Sequence, residues 1–257
     1  MKSRDLGLLV VVAVASGATS AGGQLPEPLP FGVGERLTYR ARAARMGVTG
    51  RGSMWIEGPV TVRGRRVYLL RFDFRAGLGP IKAVDETESW LDPVAMMSLR
   101  FHKHERHPLS KYTERVELFP DERRWQAEDG RAGASPTAAP LDELSFMYFI
   151  RTLPLAPDST YRFDRHFEAG RNPASVRVVR RETVATGAGE FPTILVELRV
   201  KDPRRYRGEG VIKINFTDDT RRLPVRIEST MPIVGNAVLV LESYSAPASE
   251  MIAKTEN

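Results

Sequence analysis

The sequence predicts a mainly β fold: a curved antiparallel β-sheet, a roll or partly open barrel, with one main buried helix. Three observations carry this. Apolar and polar residues alternate with period two along most of the chain after residue 30, as in strands with one face in a core and one in water. Gly and Pro punctuate these runs at hairpin spacing. One stretch, 141–153 (LDELSFMYFIRTL), is instead apolar at helical spacing over most of its surface, so it must be buried on most sides.

The elements follow in order. Residues 1–21 read as a secretory signal peptide. Lys2 and Arg4 precede the apolar run LGLLVVVAVA, and Thr19 and Ala21 stand at −3 and −1 of a cleavage site before Gly22. Spanning a bilayer takes roughly 20 apolar residues, about twice that run. Asp5 is untypical of such a positive region. Residues 22–30 form a Pro-rich, extended lead-in. Strand alternation then begins. Tyr68, Leu70, Phe72 and Phe74 are set against Leu69, Arg71, Asp73 and Arg75, and Met97, Leu99 and Phe101 against Ser98, Arg100 and His102. Residues 130–140 (GRAGASPTAAP) read as a loop. In the helix over 141–153, Asp142 and Glu143 sit near the start, where the dipole favours negative charge, and Pro154 and Pro157 stop it. Alternation returns at Ile194–Val196–Leu198, Ile212–Ile214–Phe216, Leu223–Val225–Ile227 and Ala237–Leu239–Leu241. The reading is about a dozen strands in one domain over 31–245, followed by a polar tail, 246–257. There is no βαβ rhythm of a nucleotide-binding fold.

Composition narrows the function. With 42% hydrophobic and 27% charged residues the chain is neither disordered nor a membrane bundle, and it can bury a core without staples. It has no cysteine, which excludes disulfides, thiol nucleophiles, thiolate zinc sites and lipid attachment at an N-terminal cysteine. No later segment is apolar enough to span a membrane once the signal is removed. The expected location is periplasmic or secreted, where nucleic acid is not a partner.

Four stretches in this order carry a family resemblance: 31–39 (FGVGERLTY) with the glycines 47, 50 and 52 after it, 141–155 (LDELSFMYFIRTLPL), 189–193 (GEFPT) and 214–227 (INFTDDTRRLPVRI). Together they resemble the bacterial domain-of-unknown-function family 3108, over about 31–245. The segments 145–151, with Ser145, Tyr148 and Arg151, and 218–226, with Asp218, Asp219, Arg222 and Pro224, are the most specific. The resemblance implies a secreted, predominantly β envelope protein and no agreed catalytic residues. Asn215 departs from it, since members often carry a tryptophan there.

His102 and His104 share a strand face, with His107 near, a spacing that can hold a metal, but Arg100 and Arg106 on that face repel a cation. Asp85, Glu86 and Glu88 could serve as paired carboxylates, or lie on an exposed strand edge. Ser145 lacks a nucleophile elbow and reads as a hydroxyl bonded within its helix. Asp218 and Asp219 read as turn residues between two strands, with Pro224 at a strand start. Arg204, Arg205 and Arg207 form a candidate anion-binding group. No phosphate-cradling loop is present, so no cofactor is expected.

Three function classes follow. The first is a non-catalytic binder of an envelope component (a lipid, lipopolysaccharide or glycan) in the sheet's concavity, by analogy with periplasmic carriers of acyl chains. The second is an interaction or scaffold protein. The third is an envelope hydrolase. An open apolar cavity favours the first, a filled core the second, and a cleft of converging carboxylates or histidines the third.

Overall fold

The computed structural model describes residues 28–43, 48–78, 81–108, 110–203, 208–231 and 235–248. The signal-peptide assignment, most of the lead-in, the anion-binding assignment at Arg204, Arg205 and Arg207, and most of the tail lie outside these residues.

The first half of the chain forms β1 (Arg36–Ala43), β2 (Val48–Val62), β3 (Arg65–Leu78), β4 (Ile81–Asp92), β5 (Met97–His107), β6 (Ser110–Phe119), β7 (Arg124–Ala127) and β8 (Ala132–Ala134). Helix α1 (Glu143–Arg151) follows. The second half forms β9 (Thr160–Phe163), β10 (Ala174–Thr186), β11 (Gly189–Lys201), β12 (Glu209–Thr217), β13 (Pro224–Met231) and β14 (Gly235–Ser245). All fourteen strands make one sheet, ordered β8-β7-β6-β5-β4-β3-β2-β1-β14-β13-β12-β11-β10-β9. Among the described residues every strand pair is antiparallel, and each joins sequence neighbours except β1 with β14, which joins the two halves in mid-sheet. The free edges are β8 and β9, so the sheet is open, not a closed barrel.

Alternation explains which face each strand buries. Leu37 and Tyr39 of β1, Met54 and Ile56 of β2, Leu70 of β3, Val176 and Val178 of β10, Ile194, Val196 and Leu198 of β11, and Ile214 and Phe216 of β12 point to one cluster. At the centre of that cluster lies α1, which brings Leu144, Phe146, Tyr148, Phe149 and Ile150. Phe146 and Phe149 of α1 meet Phe163 of β9, while Asp142 and Ser145 at its start bond Ser89 of β4 and Ser98 of β5, so strands from both sides of the sheet reach one helix and the sheet wraps around it. Gly50 shows how tightly the strands run: a Cβ there would lie 2.5 Å from the Arg75 carbonyl oxygen.

Two local expectations are corrected. The helix is shorter than 141–153. Asp142 is its N-cap, Leu141 makes a parallel bridge to His166, and Thr152 caps its end before Pro154 is reached. The stretch 130–140 is not all loop, because β8 pairs with β7 there through backbone bonds that three small residues do not advertise.

Candidate functional site

Three of the four family-like stretches converge on Arg151. Its guanidinium donates to both Glu35 carboxylate oxygens, at 2.6 and 2.8 Å, and to the carbonyls of Pro30 and Arg221, at 2.5 and 2.9 Å. Both side chains of the pair are 1% exposed. The rings of Phe31 and Tyr148 flank the cation, with centroids 5.3 and 5.4 Å from it. Burial alone would discourage the Arg151 charge, but Glu35 outweighs it and holds the guanidinium firmly protonated. The Tyr39 hydroxyl donates to the Pro224 carbonyl at 2.9 Å, tying β1 to the first residue of β13. This cluster knots the lead-in, the helix and the 218–222 turn together, and it is shut off from solvent.

The turn is built from its own side chains. Asp219 accepts from the backbone N–H of Arg221 and Arg222, at 3.0 and 3.2 Å, and from the Thr217 hydroxyl at 2.6 Å. Burial pushes its carboxyl up, but these bonds and the Arg221 guanidinium bring it below the usual range. Asp218 bridges Arg181, at 2.7 Å, and Arg222, at 3.1 Å. Arg222 holds φ 48°, which the turn imposes.

A second polar set lies at the start of α1, on the inner face. The Asp142 side chain accepts from the N–H of Leu144 and Ser145, and the Ser145 hydroxyl accepts from the Asp142 N–H, a reciprocal cap. The Ser89 hydroxyl donates to Asp142 at 2.6 Å and the Ser98 hydroxyl to Ser145 at 2.7 Å, fastening the helix to β4 and β5. Ser145 therefore bonds beyond its own helix as well as within it. Nearby, Lys103, 3% exposed, pairs with Glu143 and Glu105, and Arg171 pairs with Glu143 at 2.6 Å and Asp202 at 3.4 Å. Burial raises the Glu143 carboxyl, but Lys103 and Arg171 outweigh it and hold it well below the usual range. Burial, with Arg171 beside it, lowers His166 far below an ordinary imidazole.

On the outer face, the register aligns side chains in rows across the strands. One row runs Arg36, Trp55, Arg71, Glu88, His102, Arg115 over β1 to β6. The next runs Thr38, Ser53, Asp73, Glu86, His104, Thr113. Between them lies a groove of ≈ 430 Å³ lined by Trp55, Arg71, Arg75, Glu86, Glu88, His102, His104 and Arg115, among others. Its charges are paired. Arg71 meets Glu57 at 3.0 Å as well as Glu88, Arg75 meets Glu86 at 3.0 Å, and Trp55 Nε1 donates to Glu57 at 2.7 Å. The hydrogen bond from His102, with Arg71 beside it, keeps the Glu88 carboxyl below the usual range despite partial burial. A smaller cleft, ≈ 300 Å³, lies on the same face between Arg40, Arg42, Val238 and Val240 and the 185–187 hairpin tip.

The histidines separate. His102 lies against Glu88 at 3.5 Å, and His104 Nδ1 against the Thr113 hydroxyl at 2.9 Å. His107 reaches Asp85 at 2.6 Å on the opposite face. Among the described residues no group of three or more His, Asp or Glu is placed to hold a metal. The acidic trio is not on an exposed edge, because β4 is an interior strand between β3 and β5. Alternation sends Asp85 inward and Glu86 and Glu88 outward. Sequence reading missed Glu35, whose partner is 116 residues away, and the Lys103 network. For Lys103 a signal existed, since it follows Phe101 on the apolar face of its strand.

No helix among the described residues is long and apolar enough to cross a membrane. Among solved structures, the chain is similar to a β-barrel-like protein of the domain of unknown function DUF1849 from Brucella abortus, with 13% identity, 84% of this chain and 98% of that chain covered, and TM-score 0.53. That likeness concerns the fold. A protein described as exported, with a YmcC-like fold, from Bacteroides fragilis matches at 15% identity over 84% and 98% of the two chains, with TM-score 0.32. No curated protein matches the chain. The family model "Protein of unknown function (DUF3108)" matches residues 37–242, nearly the whole sheet and its helix. The chain therefore belongs to the DUF3108 family.

Proposed function

We propose that this DUF3108 protein is exported and binds, without catalysis, a glycan of the cell envelope in the outer groove across β2 to β6. The observation that carries the reading is the groove itself: ≈ 430 Å³, walled by Trp55, by guanidinium–carboxylate pairs and by two imidazoles. A sugar offers hydroxyls that both donate and accept, and paired arginines and carboxylates present both functions in fixed planes. Its C–H face suits an indole wall. The concave face supports an acyl-chain carrier less well, because α1 and Phe31, Phe146, Phe149 and Phe163 occupy it. Each acid and histidine singled out from sequence sits in a fixed pair, which suits binding better than proton transfer. Export rests on the pattern of residues 1–21.

Two measurements test this. N-terminal sequencing of the protein from an envelope fraction should begin at Gly22; an intact Met1 terminus in the cytoplasm refutes export. A glycan array should give signals with wild type that weaken at least about tenfold in Trp55→Ala, at unchanged melting temperature. Equal signals for the two proteins refute the groove.

A further inference from the structure

One row of the outer face differs from its neighbours. From β13 to β6 the paired positions read Arg226, Val240, Arg40, Arg51, Arg75, Val84, Arg106 and Lys111. Eight successive strands contribute six cations and no carboxylate. At strand spacings of about 4.8 Å the row is about 34 Å long. Like charges directly opposite one another destabilise a sheet, so Arg40, Arg51 and Arg75 side by side work against stability. Carboxylates outside the row relieve part of this: Glu242 meets Arg40 at 2.5 Å, and Glu86 meets Arg75 at 3.0 Å. Arg51 and Arg106 are exposed and have no ion-pair partner among the described residues.

We infer that this row is a track for a linear acidic glycan, whose rings the adjoining groove holds and whose carboxylates the arginines meet. The inference rests on the glycan reading of the groove and gives it a substrate class. Contiguity supports it, since Arg75 both belongs to the row and lines the groove. Shape decides between anions. The row runs across the strands, around the outside of a sheet that wraps its helix, so a flat bilayer would reach only a few of its cations. A flexible polymer with one carboxylate per ring can follow all of them, and planar guanidinium groups suit carboxylates.

The test uses polygalacturonate, a neutral dextran, duplex DNA and phosphatidylglycerol vesicles as probes, with wild type, Trp55→Ala and the double reversal Arg51→Glu/Arg106→Glu. Polygalacturonate should bind wild type more tightly than the other three probes, with an affinity that falls as salt rises. The double reversal should weaken that binding at least about tenfold at an unchanged melting temperature. Dextran should bind weakly, lose its binding in Trp55→Ala and keep it in the double reversal. Polygalacturonate binding that is indifferent to the double reversal overturns the track while the groove stands. Loss of polygalacturonate in the reversal, with no effect of Trp55→Ala on either glycan, overturns the groove reading instead. Preference for vesicles or DNA over polygalacturonate overturns the acidic-glycan assignment. If the reversal lowers the melting temperature, Arg51→Gln/Arg106→Gln replaces it, and undiminished binding there overturns the track.

Discussion

At the scale of single residues, the family-like positions act through burial and through turn geometry. Arg151 illustrates the first. Its charge is matched by Glu35, and two carbonyls also accept from its Nη2, so removing one partner strands a buried ion. Arg151→Met should cost about 3–5 kcal/mol in urea unfolding, and Glu35→Leu with Arg151→Met should recover most of it, because an apolar pair replaces an ion pair at little net cost. A double variant no more stable than the single one would contradict this. Asp219 illustrates the second. Asp219→Asn keeps an acceptor but loses the charge that draws two backbone N–H groups and Arg221, so a loss of about 1 kcal/mol is expected in thermal melts, with glycan binding unchanged. The carboxylate turn was legible because Asp bonds its own backbone a few residues on. The Glu35–Arg151 pair was not legible, since no local pattern links residues so far apart in the chain.

Elements were easier to read than their ends. Period-two alternation located the strands and the continuous apolar surface located α1, because both patterns are local consequences of which face is buried. The helix start was misjudged by two residues, since Asp142 and Glu143 both suit a helix N-terminus and only cap geometry separates them. Strand β8 escaped because its three small residues are held by backbone pairing to β7 and not by alternation. Helix α1 fills the curve of the sheet, so truncating its side chains leaves a cavity. Phe149→Ala should cost about 3–5 kcal/mol in urea unfolding. Asp142→Ala should cost about 0.5–2 kcal/mol from the lost cap, and more if Ser89 and Ser98 are left unsatisfied. An unchanged midpoint for either variant would show that the helix does not hold the sheet together.

Over the whole molecule, charge and connectivity remain. The network of Lys103, Glu143, Arg171 and Asp202 ties β5 and the start of α1 to the 171–202 region. Glu143 is depressed in the folded state, so its contribution is present above the unfolded carboxyl pKa of about 4.3 and is lost as pH falls below it. The stability gap between wild type and Glu143→Gln should therefore stay constant from pH 6 to 7 and narrow below about pH 4, as read from urea midpoints. The connectivity has a consequence for how the gene could be rearranged. The one strand pair distant in sequence, β1 with β14, sits where the described chain's two ends meet, and the Ala248 N–H donates to the Val33 carbonyl at 2.9 Å. Joining those ends and opening the chain within 135–140 would yield a plain up-and-down ribbon, β9 through β14 and then β1 through β8, in which every strand pairs only with its sequence neighbours. Such a cyclic permutant keeps the same contacts but shortens its longest loop closure, so it should fold faster than the natural order, with the helix kept whole at the new N-terminus, ahead of β9.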